Sequence, residues 1–594
     1  MAQLQATEQV EEALSMPIRY ADPEYNSTHH KLFSKSLINP LEPVLPSGVS
    51  QADFDAAIVK FKAVLGAKNV YVGKALAEYI DPYELQEEPS RRKVPSGAVC
   101  PATVFEAQGV LKIANEFKIP VWTFSRGKNL GLSGSLALDL HRMDKVIEVN
   151  EEFSYAVVEP GVTFTDLYDY CKLHKLRVWP SVPSLGWGSV IGNTVDRGTG
   201  FLPTATHHQN IAGLEILLAD GDIVRTGHFA QDGSPSAHLT KFTFGPSIEG
   251  LFMQSNLGIV TKMGIWLTPQ PQAYLSCGFS MDEFEDVETM VDLFGEMRRN
   301  GTLPNTVYIS NIVEWLGMVG KRSDYWDKDE PIPDWRVREL QKKLNMGYWN
   351  AKFGLYGPKS VIQAQYDEFK RVAAMKAPKG RPYGEMFCGK GDELLEASDV
   401  REPHGGPFVG VPTLWSLPMV NYRVPENGKG IAGHADYSPV LPSSGKAILE
   451  WARTSKAISE NHGWDLFCDF FMHERHAIFV NFMTFDKSKP EHCQAISSIL
   501  AECYKEGRKR GFSTYRTHIN FMDLNAESYD FNNHAYRRFV EKIKGAIDPN
   551  GILSPGKQGI WPAAFQRFRD PKGNLADPKS IKSGLDDGVA THKL

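Results

Sequence analysis

Long apolar runs are missing from this chain. Nowhere do about 18 apolar residues follow one another, which excludes a membrane-spanning helix. One-sided charge is missing as well. The 65 Lys and Arg are set against 71 Asp and Glu, a formal net charge of −6, so neither nucleic acid nor an anionic membrane is implied as a partner. Met1–Tyr20 holds Glu8, Glu11 and Glu12 but no apolar leader segment, so no secretory signal is expected. Cysteine is scarce and odd in number. Seven scattered residues form no disulfide framework and point to reduced thiols in an intracellular compartment. The closing tripeptide His592-Lys593-Leu594 resembles a Ser-Lys-Leu peroxisomal address, which leaves cytoplasm and peroxisome as the expected locations.

What the chain does have is glycine in two concentrated stretches. Val178–Phe201 carries Gly186, Gly188, Gly192, Gly198 and Gly200, with Pro183 among them and little periodicity of either kind. Its spacing fits neither the GxGxxG of a dinucleotide crossover nor the GxxxxGK[S/T] of a P-loop. Glycines this dense let backbone pass close to a flat or charged ligand, although a plain turn cluster has the same look. Upstream, the strand-like run Ile119–Phe124 empties into Ser125-Arg126-Gly127-Lys128-Asn129, then Gly131, Ser133 and Gly134. A strand ending in small residues aims several N–H groups at one point, a nest for phosphate oxygens, with Arg126 and Lys128 expected to add charge at its rim. Two such segments, both bounded by strand signals, favour a large phosphate-bearing cofactor.

At 594 residues two domains are expected. Residues 1–50 read as an arm. Gln51–Leu65 has the spacing of an amphipathic helix, as does Ala102–Phe117, which lies between strand-like Gly97–Cys100 and Ile119–Phe124. Thr163 with Asp166 is set to cap a further helix. Leu214–Leu218 and Ile223–Arg225 read as a hairpin across Ala-Asp-Gly-Asp. These patterns make 51–270 one α+β ligand-binding domain. A second domain over 271–500 covers it, with Lys321–Trp335 as a charged surface loop. Residues 501–594 return to the first domain, where Lys557 of a Pro-Gly-Lys step can reach the cofactor.

Ser125–Gly134, Glu159-Pro160-Gly161-Val162-Thr163, Val182–Asn193, Ser255–Lys262, Tyr515-Arg516-Thr517-His518 and Asp548–Trp561 together resemble the vanillyl-alcohol oxidase/p-cresol methylhydroxylase family, in order from about residue 50 to 565. The resemblance implies a two-domain α+β flavoprotein, an FAD-binding domain of two small α+β pieces under a cap with a large antiparallel sheet. It implies FAD contacts at Ser125, Arg126, Gly127, Lys128, Asn129, Leu130, Pro183, Ser184, Gly188, Ser189, Gly192, Asn193, Gly198, Gly258, Ile259, Val260, Arg516 and Lys557. His434, in a His-xxx-Ser-Pro pattern with Ser438 and Pro439, matches the histidine that bonds to the flavin 8α-methyl. A lone histidine in an apolar setting is otherwise most often a satisfied core residue.

The implied reaction passes a hydride from a benzylic, allylic or alcohol carbon to flavin N5, with O2 as reoxidant and H2O2 as product. A phenol donates hydride readily only once ionised, so Tyr515 and Arg516 are expected to stabilise phenolate charge in a dry site. Read as strand neighbours, the two would point to opposite faces. Two positions depart from the family pattern. Arg92 stands near the place of a second phenolate-binding tyrosine, and Ser184 replaces the acid beside N5. Asp436 can substitute if His434–Tyr437 is extended, since 434 and 436 then share a face. So can Asp469, a lone carboxylate in the apolar run Leu466–Phe471, which costs several kcal/mol unless paired or protonated. Glu474 and His476 match residues of the same wall. Their His-Glu-x-His spacing lacks the i,i+4 pair of a helical zinc site, so no metal is assigned. The expected partners are a small aromatic or alcohol substrate, O2 and further copies of the chain, as a homodimer or a dimer-based higher oligomer. Three other readings stay open: a dehydrogenase passing electrons to a cytochrome or similar acceptor, an oxidase of a carboxylate-bearing or aliphatic substrate favoured by Arg92 with Arg516, and a flavin-loaded protein with weakened catalysis.

Overall fold

The computed structural model describes residues 44–81, 85, 93–391, 393–402, 405–425 and 430–568. Most of the N-terminal arm, Arg92 and the C-terminal tripeptide lie outside the described residues.

Helix α1 (Gln51–Leu65) forms where its apolar spacing predicts, capped by Ser50, and buries Phe54, Ile58, Phe61 and Leu65. It packs on α2 (Val104–Phe117), capped by Thr103. Below them lies a four-stranded sheet of β1 (Val70–Tyr71), β2 (Gly97–Val99), β3 (Val121–Phe124) and β4 (Leu136–Asp139), in the order β1-β2-β4-β3. The second small sheet holds β5 (Val146–Asn150), β6 (Tyr155–Val158), β7 (Ile211–Leu217), β8 (Ile223–Arg225) and β9 (Ile259–Trp266), in the order β5-β6-β9-β7-β8. Helix α3 (Phe164–Leu173) starts with the capping box of Thr163 and Asp166. The glycine-rich stretch is less irregular than its sequence suggests. Ser189 Oγ accepts from Gly192 N and nucleates a short helix, α4 (Val190–Val195).

The rest of the chain to residue 486 builds one eight-stranded antiparallel sheet. Its strands are β10 (Ala273–Met281), β11 (Val307–Asn311), β12 (Trp349–Gly357), β13 (Arg381–Cys388), β14 (Ala432–Tyr437), β15 (Val440–Pro442), β16 (Cys468–Met472) and β17 (His476–Asp486). The order is β13-β10-β12-β11-β16-β17-β14, with β15 paired to β17. One face is apolar and packs on α5 (Val287–Arg299), α8 (Lys359–Lys376), α9 (Gly445–Asn461) and α10 (Pro490–Lys509), enclosing Ile309, Phe353, Phe470 and Phe479. The short helix α6 (Ile312–Val319) follows β11 directly, and α7 (Asp334–Leu344) lies further along.

The segment Lys321–Trp335 is no plain surface loop. Arg322, 6 % exposed, donates to Asp465 and to the carbonyls of Lys328 and Glu330. A buried guanidinium must be satisfied on every side, so it folds the polar chain around itself. After α11 (Phe531–Ile547) the chain returns to β3, where Val121 N donates to Ile552 O (2.7 Å) and Ser554 N to Val121 O (2.8 Å). No helix among the described residues is long and apolar enough to cross a membrane. All seven cysteines are free.

Candidate active site

Strand β3 ends in the turn Ser125–Leu130. Among the described residues, no backbone carbonyl accepts from the N–H groups of Gly127, Asn129 or Leu130. A Cβ on Gly127 would meet only Asn129, at 3.6 Å. Open donors beside free space fit a phosphate-bearing cofactor. The two bases of this turn point inward rather than to its rim. Arg126 donates to Gly161 O (2.8 Å), and Lys128 pairs with Asp139 (3.3 Å) over the ring of Tyr79. Burial pushes the Asp139 carboxyl up. The His141 hydrogen bond and the Lys128 charge outweigh that and hold it at about 2, so a buried anion draws the lysine in. Cys100, Asp139 and His141 lie close enough for a cation, but here the Lys128 ammonium serves the carboxylate.

The glycine loop is pinned on both sides. A Cβ on Gly192 would come within 2.3 Å of Ser125 Oγ, and one on Gly186 within 2.3 Å of Pro412 Cβ in the cap. Gly186 N donates to Thr413 O (2.9 Å), and Ser416 Oγ to Ser184 O (3.4 Å). Pro183 and Ser184 therefore sit half-buried at the seam between the two halves. Gly188 has open space, with nothing nearer than 3.9 Å. Gly198 lies against the Asn193 amide, and Gly258 opens β9 at Ile259 and Val260, tight against Ile216.

A chain of polar contacts crosses this seam. Arg516 Nη2 donates to Asn193 Oδ1 (2.8 Å) and O (3.1 Å), while its Nε pairs with Asp196 (3.3 Å). Asn193 Nδ2 meets His207 Nδ1 (3.0 Å), and His207 Nε2 meets Ser181 Oγ (3.2 Å). Burial holds the His207 imidazole down at about 3. Lys557 is pushed down by burial, with Asp196 opposing, so it too faces this acid. Tyr515 and Arg516 are not on a strand. They lie in a bend held by Tyr515 N to Ser438 O (3.1 Å) and by Gln254 Nε2 to Tyr515 O (2.6 Å). The guanidinium folds over its neighbour, 5.5 Å from the Tyr515 ring, instead of pointing to an opposite face. Burial raises the Tyr515 hydroxyl to about 12 against the pull of Arg516, so it stays a proton donor at neutral pH.

Register decides what the sheet presents to this seam. Across β14 and β17, Asp436 faces Phe482 and His434 faces Thr484. Across β16 and β17, Asp469 faces Val480, and across β11 and β16, Ser310 faces Asp469 and Tyr308 faces Phe471. Directly opposed residues share a face. His434, Asp436, Asp469, Phe471 and Tyr308 therefore lie on one face, and all five are half-buried while their strand neighbours are buried. That alternation marks a cavity wall. His434 stacks on Phe482 (5.1 Å), and burial lowers its pKa, with Asp436 opposing, which favours the neutral imidazole. Ser438 Oγ donates to Asp436 Oδ2 (2.6 Å). Phe201, from the glycine-rich stretch, closes the wall against Tyr308 and Phe471 (5.8 Å each) and Phe408 (4.7 Å).

The FAD binding domain family matches residues 95–227, and the C-terminal domain of FAD linked oxidases matches 426–558. The 4-cresol dehydrogenase [hydroxylating] flavoprotein subunit of Pseudomonas putida is 34% identical over 533 residues, 87% of this chain and 98% of that protein. This chain belongs to the vanillyl-alcohol oxidase/p-cresol methylhydroxylase family. Two solved members superpose on it. They are 4-ethylphenol oxidase from Gulosibacter chungangensis in an isoeugenol complex (TM-score 0.81, 33% identity, 88% of this chain and 100% of that one) and p-cresol methylhydroxylase with substrate bound (TM-score 0.80, 33% identity, 87% and 99%). Like them, this family member is a two-domain FAD-linked oxidoreductase.

Sequence reasoning did not single out every residue of the wall. Glu314 in the first turn of α6 is 2 % exposed, and Tyr308 donates its hydroxyl to it. Its signal was the one that marked Asp469, a single carboxylate in an apolar run, Ile312–Val319. Phe201 gave no signal, because its role depends on the fold bringing Phe408 and Phe471 to it. Glu474 is placed elsewhere. It sits in the turn between β16 and β17, half exposed, paired with Arg298 (2.6 Å).

Proposed function

We propose that this oxidoreductase removes a hydride from the benzylic carbon of a para-substituted phenol or related aromatic alcohol, with O2 as the final acceptor and H2O2 as product. The observation that carries the proposal is the shared face of His434, Asp436 and Asp469 above the bend that holds Tyr515 and Arg516. FAD, when bound, supplies the hydride acceptor. The turn Ser125–Leu130 would hold its diphosphate, and the Gly186–Asn193 segment would run beside its ring. The protonated Tyr515 hydroxyl donates to the phenolate oxygen, and the Arg516 guanidinium stabilises the same charge in a site from which Phe201, Tyr308, Phe408 and Phe471 exclude water. Asp436, held by Ser438, takes the proton of the benzylic hydroxyl of an alcohol, or of the water that adds to the quinone methide left when an alkylphenolate loses hydride, the task that Ser184 cannot perform. His434 is the attachment point for a covalent flavin, since its neutral ring keeps a lone pair for bonding. The names of the relatives, 4-cresol dehydrogenase and 4-ethylphenol oxidase, support a substrate of the para-alkylphenol kind.

Anaerobic mixing with 4-ethylphenol should bleach the flavin. Tyr515→Phe should slow that step by a factor of about 100, in line with loss of one oxyanion donor, and should leave aliphatic alcohols untouched. If no phenol or aromatic alcohol reduces the flavin, the proposal fails. The dehydrogenase reading draws on the name of the Pseudomonas relative. H2O2 yield set against dye reduction on one substrate separates it from the oxidase. Protein that loses its yellow colour on acid precipitation would refute attachment through His434. The proposal includes a homodimer or a dimer-based higher oligomer, which light scattering reads directly, and domains divided near residues 50, 270 and 500.

A further inference from the structure

Two carboxyl groups lie near each other at the cavity wall, with no cation between them among the described residues. Glu314 reaches back from α6 to Tyr308 and Ser310 on β11, and Ser310 is the cross-strand partner of Asp469 on β16. One oxygen of each carboxyl, Glu314 Oε2 and Asp469 Oδ1, is buried without a hydrogen-bond partner among the described residues. An acid in this state either takes up a proton or finds a donor, because an ionised oxygen stripped of water is far too costly to leave unpaired. The groups facing the pair come from several elements. Tyr308 and Ser310 are on β11, and Cys468 adjoins Asp469 on the opposite face of β16. Asp436 and His434 are on β14, and Tyr515 and Arg516 are in the bend below. Two cations face this wall among the described residues, and both are committed elsewhere: Arg516 to Asn193 and Asp196, and Lys352, opposite Tyr308 on β12, to Glu402 (2.7 Å). Burial is the first cause that raises both acids; Asp469 is raised further by the charges of Glu314 and Asp436, whereas hydrogen bonds with Tyr308 and Ser310 hold Glu314 back to about 8.

Resting on the function proposed above, we propose that Glu314 is a positioning residue that keeps Asp469 protonated, so that Asp469 meets the substrate side chain as a hydrogen-bond donor to an oxygen on the benzylic carbon. Asp436 and Asp469 then divide the work on one sheet face. Asp436 accepts a proton, and Asp469 holds the alcohol oxygen in place. Paired titratable groups in one site are commonly separated in this way. The consequence is a preference for the alcohol over the bare alkyl phenol, a selectivity that Tyr515 and Arg516 cannot supply because both substrates share the phenol end.

The test compares wild type, Glu314→Gln and Asp469→Asn, all loaded with FAD, by anaerobic flavin reduction with 4-hydroxybenzyl alcohol and with 4-ethylphenol across pH. In wild type the alcohol rate should fall at alkaline pH as the pair gives up its proton, while the alkylphenol rate shows no such limb. Once pH passes about 8 the ionised Glu314 holds the proton on Asp469, and Glu314→Gln removes that charge, so the limb should move to lower pH by about one pH unit, a tenfold change in proton concentration. Asp469→Asn, which donates at every pH, should abolish the limb. A limb that stays put in Glu314→Gln, or equal slowing of both substrates with no change in pH profile, overturns the proposal and makes Glu314 merely structural. Infrared spectra of the loaded, substrate-free proteins give a second reading. The carbonyl stretch of a buried carboxylic acid should be present in wild type at pH 7 and weakened in both variants. Its absence in wild type refutes the shared proton even if no phenol proves to be a substrate, whereas its presence beside an inert flavin would refute only the function it rests on.

Discussion

Asp465 offers a direct test of how this protein manages buried charge. Its carboxylate, 9 % exposed as a residue, accepts from Arg322 Nε (2.7 Å), Arg423 Nη2 (3.3 Å) and Ile332 N (2.7 Å). Burial already pushes the Arg423 guanidinium down to about 10 with the carboxylate in place to oppose it. Asp465→Asn keeps the shape and the Ile332 contact but leaves two buried guanidinium groups facing each other. Breaking a buried pair in this way costs about 3–5 kcal/mol. Melting should fall by roughly 6–20 °C, taking roughly 2–4 °C per kcal/mol for a cooperative unit of 150–250 residues. Scanning calorimetry reads the loss, and limited proteolysis should show new cuts within residues 321–335, which Arg322 organises. Adding Arg322→Met removes one orphan charge and should recover part of the loss. A drop below about 1 kcal/mol, or strict additivity in the double variant, would refute the reasoning.

His207 and His473 are each held at about 3 by burial, far below an unfolded histidine near 6.5, so only the unfolded chain gains protons as pH falls from 6.5 toward 3. Stability from each is full above 6.5 and falls below it by about 2 kcal/mol at pH 5; the melting temperature should drop between pH 7 and 5, and less steeply in His207→Phe. Glu314 has the opposite sign, for its folded value of about 8 lies above the unfolded one, and stability is lost as pH rises from 4.5 through 8. Glu314→Gln should therefore melt higher than wild type at pH 7, by about 3 kcal/mol of added stability, and an unchanged melt would count against a protonated Glu314. Gly200→Ala places a Cβ 2.3 Å from Ser181 Oγ and 2.9 Å from the Val182 carbonyl. Overpacking of about 1–3 kcal/mol there should weaken FAD retention on dialysis, read by flavin absorbance; full retention would mean the loop is softer than its packing suggests.

Much of the site was legible because its chemistry is carried by residue types that are costly in their surroundings. Asp469 in an apolar strand and the glycines of Val178–Phe201 declare themselves, and β14 put His434 and Asp436 on one side through a period of two that needs no tertiary knowledge. Long-range pairing was not legible. Tyr515 and Arg516 read as strand residues, yet a hydrogen bond to Ser438 and another from Gln254 bend the chain there. Lys128 read as a rim charge until Asp139, at the end of a separate strand, drew it inward. Glu314 carried the same local signal as Asp469 and was overshadowed by the helical pattern around it.

The two hydrogen bonds that close the free edge of β3 come from Ile552 and Ser554, the latter 433 residues further along the chain than Val121. At ribosomal speeds of about 5–20 residues per second, that edge stays bare for roughly 20–90 s of synthesis. Exposed strand edges recruit other strands, so the newborn N-terminal half needs shelter during that interval. Cofactor loading then becomes a late event, gated by the arrival of the tail. Fragments ending before Ile552 are expected to aggregate and to stay colourless with added FAD, and a soluble yellow fragment of that length would show that the nest is finished without its last two partners.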